Sequence, residues 1–65
     1  MEADQERVVA EKKDLEEKRL KLYAFMQSER FSALPGEGQA RLHLQDILMR
    51  AYAAVLGERI EAFSG

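Results

Sequence analysis

Four cations in this chain of 65 residues, Arg7, Lys12, Lys18 and Arg59, are the side chains best suited to chemistry, and the chemistry they suit is binding phosphate oxygens. Arg offers a planar fork that can bond two oxygens at once, and Lys a compact ammonium. Arg7, Lys12, Lys18 and the neighbouring Arg19 fall along one predicted helix near its apolar seam, and Arg59 stands opposite Val8 on a second. The plainer reading is that their stems cover apolar surface while the charged heads reach water. Lys18 and Arg59 face levels about 16 Å apart by helical rise, so a compact ligand could use both only if different subunits supplied them.

Covalent and metal chemistry find little to work with. The chain has no Cys, one His and only Ser28, Ser32 and Ser64 as hydroxyl nucleophiles besides the tyrosines, which argues against an enzyme and calls for no cofactor. His43 has no second ligand or nucleophile near it in sequence, so it reads as a surface or boundary residue, and no structural metal site is expected. No Gly-rich phosphate loop, carboxylate dyad in an apolar pocket or metal triad is present. Tyr23, Tyr52, Phe25, Phe31 and Phe63 are spaced as core aromatics, with base stacking as the sharper alternative.

The elements that must position these residues are two helices and a turn. Between Asp4 and about Ser28 there is no Gly or Pro, and Glu, Lys, Leu, Arg and Ala dominate, so one helix of roughly 25 residues is predicted over about 4–28. Ser32, Pro35, Gly36 and Gly38 then cluster, which sets a turn over about 29–36 with Pro35 opening the second helix. That helix runs over about 37–63, with Gly57 as an internal weak point or a concession to a close neighbour. A connection this short predicts an antiparallel two-helix hairpin, residues 1–65 forming a single all-α domain. Facing residue numbers then sum to roughly 67, which puts Val8 near Arg59, Leu15 near Tyr52 and Leu22 near Gln45.

The helices differ in apolar content. Helix one places Val8, Leu15 and Leu22 seven apart, with Glu11/Lys12 and Lys18/Arg19 at the seam between them. Helix two carries one stripe at Leu44, Leu48, Ala51, Val55 and Ala62 and another at Met49, Tyr52, Leu56 and Phe63, with Ile47, Ala54 and Ile60 beyond both. One partner helix cannot cover so wide a face. A core of this size supplies only about 3–5 kcal/mol, and neither disulfide nor metal is at hand, so a homo-oligomeric helical bundle built mainly on helix two is expected.

Ten Lys and Arg against twelve Asp and Glu give a net charge of -2, which argues against binding polymeric nucleic acid through a general basic field. No run of about 18 apolar residues exists to span a membrane, and the start of the chain is acidic where a signal peptide would be basic. The expected location is the cytoplasm.

The pattern Arg7, Val8, Val9, Ala10, Glu11, Lys12, then Leu15, Lys18, Lys21, Leu22 and Phe25, then Phe31, Leu34, Pro35, Gln39 and Leu42, and finally Ala51, Tyr52, Leu56, Gly57, Arg59 and Ile60 resembles a family of small phage proteins. These are the helical-hairpin proteins that include the anti-CBASS cyclic-oligonucleotide sponges, and the resemblance covers most of the chain. It implies a compact homo-oligomer, typically a hexamer, that sequesters cyclic di- or trinucleotide second messengers in an infected bacterium without cleaving them. Lys18 and Arg59 match the basic positions that contact phosphates in the dinucleotide site, and Arg7 a contributor to the trinucleotide pocket. The sequence departs from the family in having no aromatic before Tyr23, where members stack one on a base, and this places dinucleotide binding in question. The competing reading is an oligomeric protein-interaction module with no nucleotide ligand.

Overall fold

The computed structural model describes residues 2–63, which form helix α1 (Ala3–Met26), a single turn of helix α2 (Glu29–Ser32) and helix α3 (Gly36–Ala62). Among the described residues there is no strand. Ser64, one of the three candidate hydroxyl nucleophiles, lies outside them.

Side-chain caps set several of these boundaries. At the start of α1, Gln5 Oε1 accepts from the Glu2 N–H at 3.2 Å, one half of a capping box. Ser28 links the end of α1 to the start of α2. Its Oγ accepts from the Phe31 N–H at 3.2 Å and donates to the Phe25 carbonyl, which also accepts from the Ser28 N–H at 2.9 Å, so one hydroxyl caps the start of α2 and ties it to the last turn of α1. The turn expected over 29–36 is therefore partly helical, because Ser28 supplies a cap that the Gly and Pro content of the segment conceals. Pro35, expected as the first helical residue, is the N-cap of α3, with φ -57°, and the helix opens at Gly36, one residue before the expected start at about 37.

Phe31, on α2, is buried and meets Phe25 edge-on at 6.2 Å and His43 edge-on at 5.5 Å between ring centroids. It thereby pins the connection to both long helices, and Gln39 secures it further. Gln39 Nε2 donates to the carbonyls of Ser32 at 3.3 Å and Leu34 at 2.9 Å.

The long helices lie side by side in opposite directions. Lys12 of α1 meets Gly57 of α3, while Arg19 and Tyr23 share a concavity with Asp46 and Arg50. The expected register set Val55 at the level of Lys12, so the observed pairing is about two residues further along α3. The core consists of Val8 and Leu15 from α1 and Ala53 and Leu56 from α3, with Met49, Ile60 and Phe63 packed against it. Leu56 is wholly buried. Of the two apolar stripes on α3, α1 covers the one holding Met49, Leu56 and Phe63, and Leu44, Ile47, Leu48, Tyr52 and Val55 remain exposed.

At the α1 seam the structure chooses between adjacent charged residues. Lys12 and Arg19 continue the spacing of Val8 and Leu15 and are partly buried, whereas Glu11 and Lys18 are exposed. Among the described residues, no helix is long and apolar enough to cross a membrane.

Candidate functional site

Glu16 holds the two seam cations. Arg19 Nη1 donates to Glu16 Oε1 at 3.1 Å and Oε2 at 3.0 Å, and Lys12 Nζ stands 4.0 Å from Oε1. Since α1 brings residues three and four apart together, one carboxylate can bridge both. Arg19 Nε is buried without a hydrogen-bond partner among the described residues. The seam cations are thus tied into the packing between helices and present little free charge to a ligand.

Arg7 and Lys18 stand elsewhere on α1. With Glu11, Asp14, Leu15 and the α3 residue Tyr52 they line an open concavity of about 400 Å³. Steps of four, three and four residues put Arg7, Glu11, Asp14 and Lys18 on one helical face, with cations at the two ends and carboxylates between them. Arg7 and Lys18 are about 16 Å apart along the axis, a span that suits a ligand with separated phosphates better than a single compact anion. Leu15 and Tyr52 add an apolar and aromatic surface across the groove between the helices.

Of the four cations singled out from the sequence, the structure brings together Arg7 and Lys18. Lys12 turns toward α3 and pairs with Glu16, and Arg59 is exposed in the last turn of α3, outside this concavity. With Gly57 at the level of Lys12, Lys18 and Arg59 are about 12 Å apart along the axis, closer than the expected register placed them. Tyr52, from the second helix, lines the same concavity as the two cations. The expected proximity of Leu15 and Tyr52 was the one sequence signal that could have found it.

A second concavity of about 400 Å³ was not anticipated, and lies between Glu16, Arg19, Leu20 and Tyr23 of α1 and Asp46 and Arg50 of α3. Arg50 Nη1 donates to Asp46 Oδ2 at 3.4 Å, so both arginines there are held by a carboxylate of their own helix. A third, apolar groove of about 330 Å³ runs along α3 past Leu44, Leu48 and Tyr52. Among the described residues, no group of three or more His, Cys, Asp or Glu side chains is placed to hold a metal ion.

The model of one protein family, Sequestin, matches residues 2–62. No curated protein and no solved structure matches the chain.

Proposed function

Because the chain belongs to the Sequestin family, the phage anti-CBASS cyclic-nucleotide sponges, we propose that it binds cyclic di- or trinucleotides in the cytoplasm of an infected bacterium and holds them uncleaved. The observation that carries this reading to the level of residues is the shared concavity of Arg7, Lys18 and Tyr52. Cyclic oligonucleotides repeat a phosphodiester and a base around a ring, so their recognition calls for spaced cations and a flat apolar surface. Arg7 and Lys18 take phosphates, and Tyr52 takes a base.

In this reading the antiparallel helix pair assembles into a homo-oligomer, a hexamer by the family pattern, through apolar faces that one copy leaves uncovered. Arg59 reaches ligand at contacts between copies, entering from a neighbouring subunit, while Lys12 stays paired with Glu16. Sequestration needs no nucleophile, general base, metal or cofactor, which agrees with the residue inventory. The exposed apolar face of α3 supports a second reading, an interaction module without a nucleotide ligand.

Calorimetric titration with a panel of cyclic di- and trinucleotides, followed by heat denaturation and chromatography of the released ligand, separates the two. Binding with ligand recovered unchanged is the expected result. Arg7→Ala and Lys18→Ala should each weaken it by about 1.5–3 kcal/mol, the size of a hydrogen bond to a charged group. Arg59→Ala does the same where a neighbouring subunit completes the site. Absence of binding by every member of the panel at micromolar concentration would leave the interaction module, and a cleaved product would make the protein an enzyme.

A further inference from the structure

Two grooves flank the seam between the long helices, and they differ in charge. At about 100° per residue, Glu16, Leu20 and Tyr23 lie on the opposite side of the line through Val8 and Leu15 from Arg7, Glu11, Asp14 and Lys18. A ligand held by Arg7 and Lys18 therefore leaves the concavity of Glu16, Arg19, Leu20, Tyr23, Asp46 and Arg50 open. There each arginine already has a carboxylate of its own helix, so the charges balance and a phosphate finds no net attraction. What this groove presents is hydrogen-bond donors and acceptors beside an apolar wall.

The register between the helices arranges them. With Lys12 against Gly57, Arg19 stands level with Arg50 and Tyr23 level with Asp46. Leu20 and Tyr23, three apart on α1, make one wall, and at 69% and 62% exposure their faces are free. Asp46 and Arg50, one turn apart on α3, make the other. Their contact, at 3.4 Å, is longer than a good charge-assisted hydrogen bond, and the Arg50 side chain is 60% exposed. Pairs of this kind hold weakly, so the edge of a ligand can enter between the two. Glu16 is committed to Arg19 and Lys12, which leaves Asp46 as the carboxylate that can read a ligand.

We propose that this concavity is a second binding site, specific for a guanine base. An aspartate and an arginine side by side are matched by an edge that carries donors next to an acceptor. The Watson–Crick edge of guanine has that order: O6 accepts from Arg50, while N1–H and N2–H donate to the two oxygens of Asp46. The purine ring stacks on Tyr23, with Leu20 beside it. Adenine offers the carboxylate its amino group alone, without a ring N–H. Hypoxanthine keeps O6 and N1–H but lacks the N2 amino group, so it loses one bond to Asp46 and nothing else. The site needs no phosphate, and it stands whether or not cyclic oligonucleotides bind at Arg7 and Lys18.

Titration of the whole chain with guanosine, followed through the ring resonances of its two tyrosines by NMR, tests this. Tyr23 should shift along a saturable curve, and inosine and adenosine should each bind roughly tenfold more weakly, the loss expected for one hydrogen bond to a charged group. Inorganic phosphate should not displace guanosine. Asp46→Asn preserves the size of the side chain, so circular dichroism should be unchanged. It should weaken guanosine roughly tenfold and bring guanosine and inosine to nearly equal affinity, because the amide accepts from only one N–H. Equal affinity of the wild-type chain for guanosine and inosine would overturn the proposal, as would shifts confined to Tyr52 or the lack of saturation at millimolar guanosine. Displacement by phosphate would overturn it too, and make the groove an anion site.

Discussion

Lys12 crosses α3 at Gly57, with its Cε 3.5 Å from the point a Cβ on Gly57 would occupy. That is ordinary van der Waals separation, so the glycine leaves room for one methyl group and little more. The lysine stem lies over α3 while its ammonium returns toward Glu16, and the seam is closed by a charged side chain where Val8 and Leu15 close it elsewhere.

Gly57→Ala should therefore stabilise the chain by about 1 kcal/mol, the helix-propensity difference at an interior position. The midpoint of urea unfolding should rise in proportion. Gly57→Leu has no such room and should lower it by displacing Lys12. A lower midpoint for the alanine variant would mean that the helices approach more closely than this contact indicates.

Leu56→Ala should remove most of the cooperative unfolding transition. Leu56 is wholly buried at the centre of the small α1 and α3 cluster. Truncating such a residue costs about 2–5 kcal/mol, comparable to the whole stability of a core this size. Loss of the far-UV circular dichroism transition checks this, and a variant unfolding near the wild-type midpoint would place the stabilising contacts elsewhere.

Arg19 and Glu16 should respond unequally to substitution. Arg19→Met keeps the packing volume and removes the buried, unpartnered Nε, so stability should be unchanged or slightly raised. Glu16→Ala strips both Arg19 and Lys12 of their carboxylate and should cost about 1 kcal/mol, a value held down by the partial exposure of all three side chains. Equal losses in chemical denaturation would contradict the view that the seam cations are tolerated for their stems.

Asp14→Asn should tighten the binding of cyclic oligonucleotides. Asp14 and Glu11 stand between Arg7 and Lys18 in the same concavity, where they oppose the phosphates that the cations attract. Removing one charge at about 7 Å in water-like surroundings is worth about 0.6 kcal/mol, close to threefold in affinity, and the gain should shrink with added salt. Unchanged affinity at low salt would move the phosphates away from this groove.

Much of the fold was legible because it is written in local signals. The Gly-free run before Ser28 and the Ser, Pro and Gly cluster around Pro35 mark the two long helices, and the spacing of Val8 and Leu15 marks the buried face of α1. Two things escaped. The α2 turn depends on the Ser28 hydroxyl serving both neighbouring helices, which no composition signal reports. Ala53 escaped because alanine is found on any helical face; its burial follows from the close approach of α1.

The candidate site was legible in part. Arg7 and Lys18 could be placed on α1 from the sequence, and their common face with Glu11 and Asp14 follows from helical geometry alone. Tyr52 could not be joined to them with certainty, because that contact depends on the register between two helices. A shift of two residues, the difference between expected and observed pairing, rotates a helical position through more than half a turn.

Residue types and their spacing along the chain set two long helices, their amphipathic content, the cations available for phosphate and the excess of apolar surface on the second helix. These rest on propensity, capping chemistry and periodicity, which act over a few residues. Tertiary structure alone decided which of two apolar stripes on α3 meets α1, that Lys12 and Arg19 enter the seam while Lys18 stays outside, and that Tyr52 stands over the groove. Both stripes are apolar, so an isolated helix leaves the choice open. The choice falls to packing, where Ala53 and Gly57 let α1 come close enough to bury Leu56 completely.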